Sequence, residues 1–571
     1  MEANKRQIRD IFNGGRVLEI PFFQRSYVWD ENQWERLKDD LEAISIYKKP
    51  YFMGSVILKQ QQTSSSSSVG DKRTIIDGQQ RITTLTIFFR VFCLLTNTLD
   101  RFERIFTIDN SNKDLALLHN KNDIQDFTRV LRHAATTKLE GNSKIVKAFN
   151  YFLEKIEVEK LDFDAILNNI TFVNIDLGID EDEQQIFDTI NSLGVRLTTA
   201  ELLKNYFFSR ENPEAYDKHW RMVFEIDEDT KEFWDRDITA GRAKRENIDL
   251  FFYSYLQIKI QDPSIGVRTE DKKLFTKVDG LFESYKRFIK EYKLDKEVLI
   301  QEINEYALLY RTHINFEAIE YELPSEYCVD RINAVIFGLD NTTLIPYVLY
   351  VLRNVQNSND RNLIWEYLES YIMRRMVCHM NNKNYNNLFS EKLISNAIIT
   401  RDQFKELIEN QSDTHNGMPS DQDLVDGFQN SWLVNKQAAG ILYLIETAIR
   451  NRSKHSTSLL GLSKYSLEHL MPKKWQNKWP SVNSDEEVEY RNRKLLTLGN
   501  LTIVTTSLNA SMRDSAWEVK KEGFKEKFGL KQYASGIETF SSYLDYPTWD
   551  EDCIAERAEF LFSKAKEIWR V

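Results

Sequence analysis

Between residues 20 and 60 the chain sets short apolar runs around one amphipathic stretch. IPFFQRSYVW is followed by DENQWERLKDDLEAI, with the 3.6-residue spacing of a helix, and then by YFMGSVILKQ, rich in strand formers. QQTSSSSSVGDK is polar and of low complexity, which predicts a hairpin loop leading into a second strand, RTIIDG. A long amphipathic helix is expected over QRITTLTIFFRVFCLLTNTL and an alternating strand over ITFVNIDL. In DEDEQQIFDTINSLGVRLTTAELLKNYFF, acidic residues open one helix, Gly194 ends it, and Thr198 with Glu201 forms a capping box for the next.

From about residue 215 to 460 the pattern is helical almost throughout, as in NIDLFFYSYLQIKI and DNTTLIPYVLYVLRNV, with no fixed-period repeat that would support a solenoid. Beyond 461, YSLEHLMP and LGNLTIVT predict two strands, and SAWEVKKEGFKEKF a charged helix. The expected class is α+β and multidomain, divided as 1–214, a helical connector 215–430, and 431–571.

Composition narrows the picture. At 571 residues the chain exceeds one ordinary core, and its 10 prolines and 20 glycines are few for long disordered linkers. The opening MEANKRQIRD lacks the apolar core of a signal peptide, and no apolar run reaches membrane-span length, so a soluble, cytoplasmic protein with no membrane association is expected. Cys93, Cys328, Cys378 and Cys553 lie far apart, which excludes a zinc ribbon. A net charge of −11 is unusual for a DNA-binding protein, yet residues 461–530 hold 12 Lys and Arg against 9 Asp and Glu.

Two stretches carry candidate chemistry. In TIIDGQQRITTL a strand hands over to a helix through Asp77, Gly78, Gln79, Gln80 and Arg81, where unpaired backbone N–H groups can hold anionic oxygens; the competing reading is a plain turn. In SLEHLMPKKW, Glu468 and His469 end a strand, with Asn500 and Asn509 following in LGNLTIV and SLNAS. An imidazole can take a proton from water, and Glu468 and Asn509 offer oxygens to Mg²⁺ or Mn²⁺, while Asn500 is better placed to brace the loop and orient His469. This order resembles the HNH, or ββα-metal, nuclease module. Many such modules use Asp-His and a distal His, so Glu468 and Asn509 are departures. Lys473, Lys474 and Lys478 interleave with Trp475 and Trp479, a pattern suited to phosphate contact and equally common on an ordinary surface.

Taken together, IPFFQRSYVW, GSVIL, IIDGQQRITTL and INSLGVRLTTAELLKN resemble the N-terminal domain of GmrSD-type modification-dependent (type IV) restriction enzymes, and LEHLMPKKW, LGNLTIV and SLNAS resemble the HNH domain closing that family. The resemblance implies a ParB/sulfiredoxin-like domain that binds and hydrolyses a nucleoside triphosphate, GTP or ATP, through Asp77–Arg81. It also implies DNA as partner, as modified phage or phosphorothioate DNA; a homodimer is left open. Gln24, Arg25, Tyr27 and Trp29 are the candidate DNA-sensing cluster, with a strand-end core cluster as the equal alternative. The expected function is a nucleotide-regulated endonuclease of anti-phage defence with catalytic residues His469, Asn500, Asp77 and Arg81. The alternatives are a non-cleaving sensor of modified DNA and an RNA-directed nuclease or toxin.

Overall fold

A computed structural model gives the chain as two units, Met1–Asp217 and Lys218–Val571. It describes residues 2–12, 15–21, 24, 26–61, 71–108, 113–178, 198–208, 213–240, 243–276, 280–410, 416–450, 453, 458–524, 527–533 and 536–571. The helix expected to end at Gly194 lies outside these residues.

The first unit is built on strands β1 (Glu2–Gln7), β2 (Arg16–Glu19), β3 (Tyr51–Gln60), β4 (Asp71–Asp77), β5 (Leu117–Leu118) and β6 (Ile170–Leu177), in the order β1-β6-β3-β4-β2-β5. β3 and β4 form the antiparallel hairpin read from the flanks of the serine-rich segment, with Leu58 opposite Ile75. β6 runs parallel to β3 and antiparallel to β1, so it is a central strand. That position explains why ITFVNIDL is buried on both faces instead of alternating: only Val173 is exposed.

Helix α1 (Glu31–Tyr47) opens on a capping box between Asp30 and Gln33. Helix α2 (Gln79–Leu95) follows β4 directly. The sequence predicts it as amphipathic, but every residue from Ile82 to Leu94 is buried, because the helix runs through the core and packs against α3 (Lys144–Lys155). Several of its polar groups find partners inside: Arg90 donates to the His133 carbonyl, and the Thr84 and Thr86 hydroxyls donate one turn back to the Gln80 and Ile82 carbonyls. Helix α4 (Thr199–Phe207) has the capping box expected at Thr198 and Glu201.

The second unit is mainly helical, as its sequence predicts, with a small hairpin, β7 (Asp237–Ala240) and β8 (Ala243–Glu246), preceding α5 (Asn247–Lys259). The sequence predicts three parts; in the structure the helical segment and the tail fall within one unit, Lys218–Val571. On α6 (Ser358–Val377), Glu369 pairs with Arg331 in the dry interior at 2.6 Å and accepts from the Trp569 indole. Arg374, also on α6, donates to the Trp569 carbonyl at 2.6 Å. Helix α7 (Asn435–Ile449), buried from Ala438 to Thr447, backs a two-stranded ladder of β9 (Tyr465–His469) and β10 (Leu501–Thr505).

After β10 come α8 (Thr506–Met512), α9 (Trp517–Glu522) and α10 (Glu551–Ile568). The charged helix expected over residues 515–528 is only α9, and Lys520 and Lys521 on it are buried. α10 presses on the turn before β10: a Cβ on Gly499 would lie 2.1 Å from the Ile554 carbonyl oxygen, so only glycine fits. Fully buried Arg557, on α10, donates to the carbonyls of Leu498, Gly499 and Leu501.

Candidate functional site

In the first unit the Asp77–Arg81 turn is shaped by two glycines. Gly78 caps α2 at φ +98°, and a Cβ there would sit 2.9 Å from Val56. Gly54 in β3, at φ +111°, leaves room for the Arg81 guanidinium, which a Cβ would strike at 2.0 Å. Arg81 bridges the Met53 carbonyl and Asp77 Oδ2, at 3.3 and 3.1 Å, and both partners of this ion pair are about three-quarters buried. No side chain caps α2, and Gln79, 7 % exposed, has a buried Oε1 without a hydrogen-bond partner. The uncapped N-terminus of this 17-residue helix leaves backbone N–H groups that an anionic ligand could take up.

The same turn meets the aromatic stretch. Gln80 Oε1 accepts from the Val28 N–H at 2.8 Å, and its amide reaches the Ser26 carbonyl at 3.4 Å. Tyr27 is buried, so it offers no surface to DNA, contrary to the sensing role expected from sequence. Its hydroxyl meets Thr84 and the Trp34 indole at 2.7 Å each, and its backbone N–H donates to Asp123 at 2.6 Å. Gln24 is also buried, Trp29 is half-buried against the core, and Arg25 lies outside the described residues.

In the second unit β9 and β10 pair antiparallel with Thr502 opposite Glu468 and Leu501 opposite His469, and α8 packs on the pair, giving a ββα unit. Facing residues of a ladder share a side and successive residues alternate, so Ser466, Glu468 and Thr502 lie on one side. The Asn509 amide nitrogen donates to Ser466 Oγ at 3.0 Å and the Leu467 carbonyl at 2.8 Å, fixing its side chain against β9. Glu468 is buried and ion-paired with buried Lys520, whose ammonium also donates to the His469 carbonyl at 2.6 Å. Burial pushes the Glu468 carboxyl up and the Lys520 ammonium down, and each opposes the shift of the other. Burial, with the charges of Lys473 and Lys520, pushes the half-buried His469 ring down to about 4, which favours its neutral form near pH 7.

Asn500 is fully buried and touches no open space. Its Oδ1 accepts from the Met471 N–H and the Trp549 indole, and its Nδ2 donates to the carbonyls of Met471 and Leu495. It braces the chain after His469, and its burial argues against a direct catalytic contact.

Oxygens of Glu468 and Asn509 are the donor types a hard divalent cation prefers, and the Thr502 hydroxyl opposite Glu468 is buried without a hydrogen-bond partner. Among the described residues no three His, Cys, Asp or Glu side chains gather as a metal cluster.

Comparison with family models matches residues 8–208 to the GmrSD restriction endonuclease N-terminal domain and residues 418–564 to the GmrSD restriction endonuclease C-terminal domain. The chain belongs to the GmrSD restriction endonuclease family. The two GmrSD matches together span more than half of it, in the order the motifs predict, and each contains one of the sites above. Comparison with curated proteins gives no match. Among the described residues no helix is long and apolar enough to cross a membrane.

Within the GmrSD C-terminal domain, sequence reasoning missed Lys520, Thr502 and Trp549. It also missed Asp514, whose charge acts on both Glu468 and Lys520. A lysine in a charged run has the signature of a solvated face; only its spacing after Trp517, i to i+3, hinted that one side of that helix faces inward.

Proposed function

We propose that this GmrSD-family chain is a nucleotide-regulated, modification-dependent DNA endonuclease of anti-phage defence, with an HNH centre at His469 and a nucleoside triphosphate site at Asp77–Arg81. The observation that carries the reading is the ββα unit itself, in which β9 ends on Glu468 and His469 and α8 fixes Asn509 against the same strand, within the C-terminal GmrSD match. His469 takes the proton of the attacking water. Glu468 and Asn509 would hold Mg²⁺ or Mn²⁺, which supplies charge stabilisation at the scissile phosphate. Asn500 keeps the loop after His469 in place, and Lys473 and Lys474, exposed just beyond it, meet the DNA backbone.

In the first unit, the uncapped α2 N-terminus and Arg81 hold phosphate oxygens, and Asp77 orients water or metal. Gln80, bonded to the Val28 N–H, would couple occupancy of this turn to the segment that precedes α1.

The test is cleavage of unmodified, glucosylated and phosphorothioate DNA side by side, with and without ATP or GTP and Mg²⁺. Nucleotide-dependent cutting of one marked substrate is expected; mobility shifts without cutting on all three would overturn it. The ion pair that engages Glu468 favours a second reading, a sensor of modified DNA that does not cleave, and the same assay separates the two.

A further inference from the structure

We propose that Lys520 is a positioning residue of the nuclease centre, which holds one oxygen of Glu468 so that the other faces Asn509 and the Thr502 hydroxyl. The inference rests on the nuclease reading of the same strand pair. The Lys520 ammonium contacts two consecutive residues of β9 at once, the Glu468 Oε1 atom and the His469 carbonyl. A contact of that kind fixes the carboxylate relative to the backbone of the proposed base, which a pairing with the carboxylate alone would not do.

Its side chain is 1 % exposed and that of Glu468 is 6 % exposed, so the ammonium cannot itself reach a DNA phosphate and must act through the carboxylate. A buried ion pair is also poor value as a source of stability, since apolar residues of the same size often hold a core better. Its contact with two consecutive residues of β9 points to orientation as its role.

The clamp stands on a rigid support that is shared with the Asn500 brace. α9 is anchored by Trp517, whose indole donates to the Tyr546 carbonyl at 2.9 Å, and by Lys521, which reaches the same carbonyl at 3.3 Å. The Trp517 ring packs on Trp549 at 5.3 Å, and the Trp549 indole donates to Asn500 Oδ1 at 3.1 Å. One continuous set of contacts therefore runs from the loop after His469, through two tryptophans, to the ammonium that holds Glu468. Outer groups that orient a ligating carboxylate typically change metal affinity about 10- to 100-fold when removed.

The experiment uses the full chain as wild type, Lys520→Gln and Lys520→Arg, with circular dichroism for folding, Mn²⁺ binding followed by the electron paramagnetic resonance signal of the free ion, and plasmid nicking at a series of Mn²⁺ concentrations. Folded Lys520→Gln is expected to bind Mn²⁺ about tenfold or more weakly, with nicking restored as Mn²⁺ is raised. If that variant does not fold, Lys520→Arg decides: its longer, planar guanidinium keeps the charge but places its donors differently from the compact ammonium, and weaker Mn²⁺ binding is again expected. Wild-type affinity in a folded variant would reduce Lys520 to a core ion pair, and tighter binding would make it a plug; either overturns the proposal. A wild type that neither binds Mn²⁺ nor nicks DNA overturns the nuclease reading itself.

Discussion

Gln80 accepts a hydrogen bond from the backbone of Val28 at 2.8 Å, which joins the first turn of α2 to the aromatic stretch that precedes α1. Two motifs lying 52 positions apart are thereby joined. Gln80→Ala is expected to cost about 1 kcal/mol of stability. It should also weaken the nucleotide dependence of cleavage while leaving basal nucleotide turnover measurable. Arg81→Ala or Asp77→Ala should lose turnover and protection against marked phage together. Normal hydrolysis and normal restriction by Arg81→Ala would remove this turn from the mechanism.

His469→Ala is expected to lower DNA cleavage by roughly 10²- to 10⁴-fold with nucleotide hydrolysis unchanged. Because burial, Lys473 and Lys520 depress the ring to about 4, the acid limb of kcat/KM should fall well below the ordinary histidine value of about 6.5. A pH profile of nicking that breaks at 6.5 would contradict the buried, neutral base.

Tyr27→Phe separates a strut from a sensor. It removes a hydroxyl bonded to Thr84 and Trp34, so a loss of about 1 to 2 kcal/mol is expected in denaturant melts. Affinity for marked DNA, measured by gel shift on folded protein, should stay within about twofold. A large loss of binding without a loss of stability would return Tyr27 to the recognition surface.

His119, 2 % exposed and hydrogen-bonded to Thr83 at 3.0 Å, is depressed to about 3 by burial. Unfolded, it takes up a proton near pH 6.5; folded, it resists until near pH 3. Its contribution is therefore fully present above pH 6.5 and declines as the pH falls toward 3, by on the order of 4 kcal/mol. His119→Gln should flatten this part of the wild-type stability profile. Parallel wild-type and variant curves between pH 6.5 and 4 would rule the contribution out.

Asn500→Ala leaves the Met471 N–H and carbonyl, the Leu495 carbonyl and the Trp549 indole without their partner, at a cost of about 3 kcal/mol or more. Thermal melts should show that loss whether or not DNA and metal are present. A variant as stable as wild type yet inactive would instead make Asn500 a catalytic residue.

Local signals carried much of the architecture. The β3–β4 hairpin, the Thr198 capping box, the helical run of the second unit and the β9–β10 pair all follow from spacing and turn chemistry, which act over a few residues. Burial was less legible. The sequence predicts β6 and α2 as one-sided because polar residues such as Asn174 and Arg90 are normally solvent-facing; here each is buried and makes a hydrogen bond within the core, Asn174 to Asp176 and Arg90 to a carbonyl. For the site, the strand-end pair Glu468–His469 and both asparagines could be read from their order. Lys520 could not, because its partner lies 52 residues away and only the tertiary fold distinguishes a buried ammonium from a solvated one.

The grip of α10 on the turn before β10 sets an order of assembly. Arg557 satisfies three carbonyls of that turn, and Gly499 leaves no gap beneath Ile554, so the strand bearing Thr502 is finished only when residues 551–569 are present. During synthesis the ribosome releases Glu468 and His469 long before it releases α10. A nascent chain thus exposes the strand that ends in Glu468 and His469 before the helix that braces its partner strand exists.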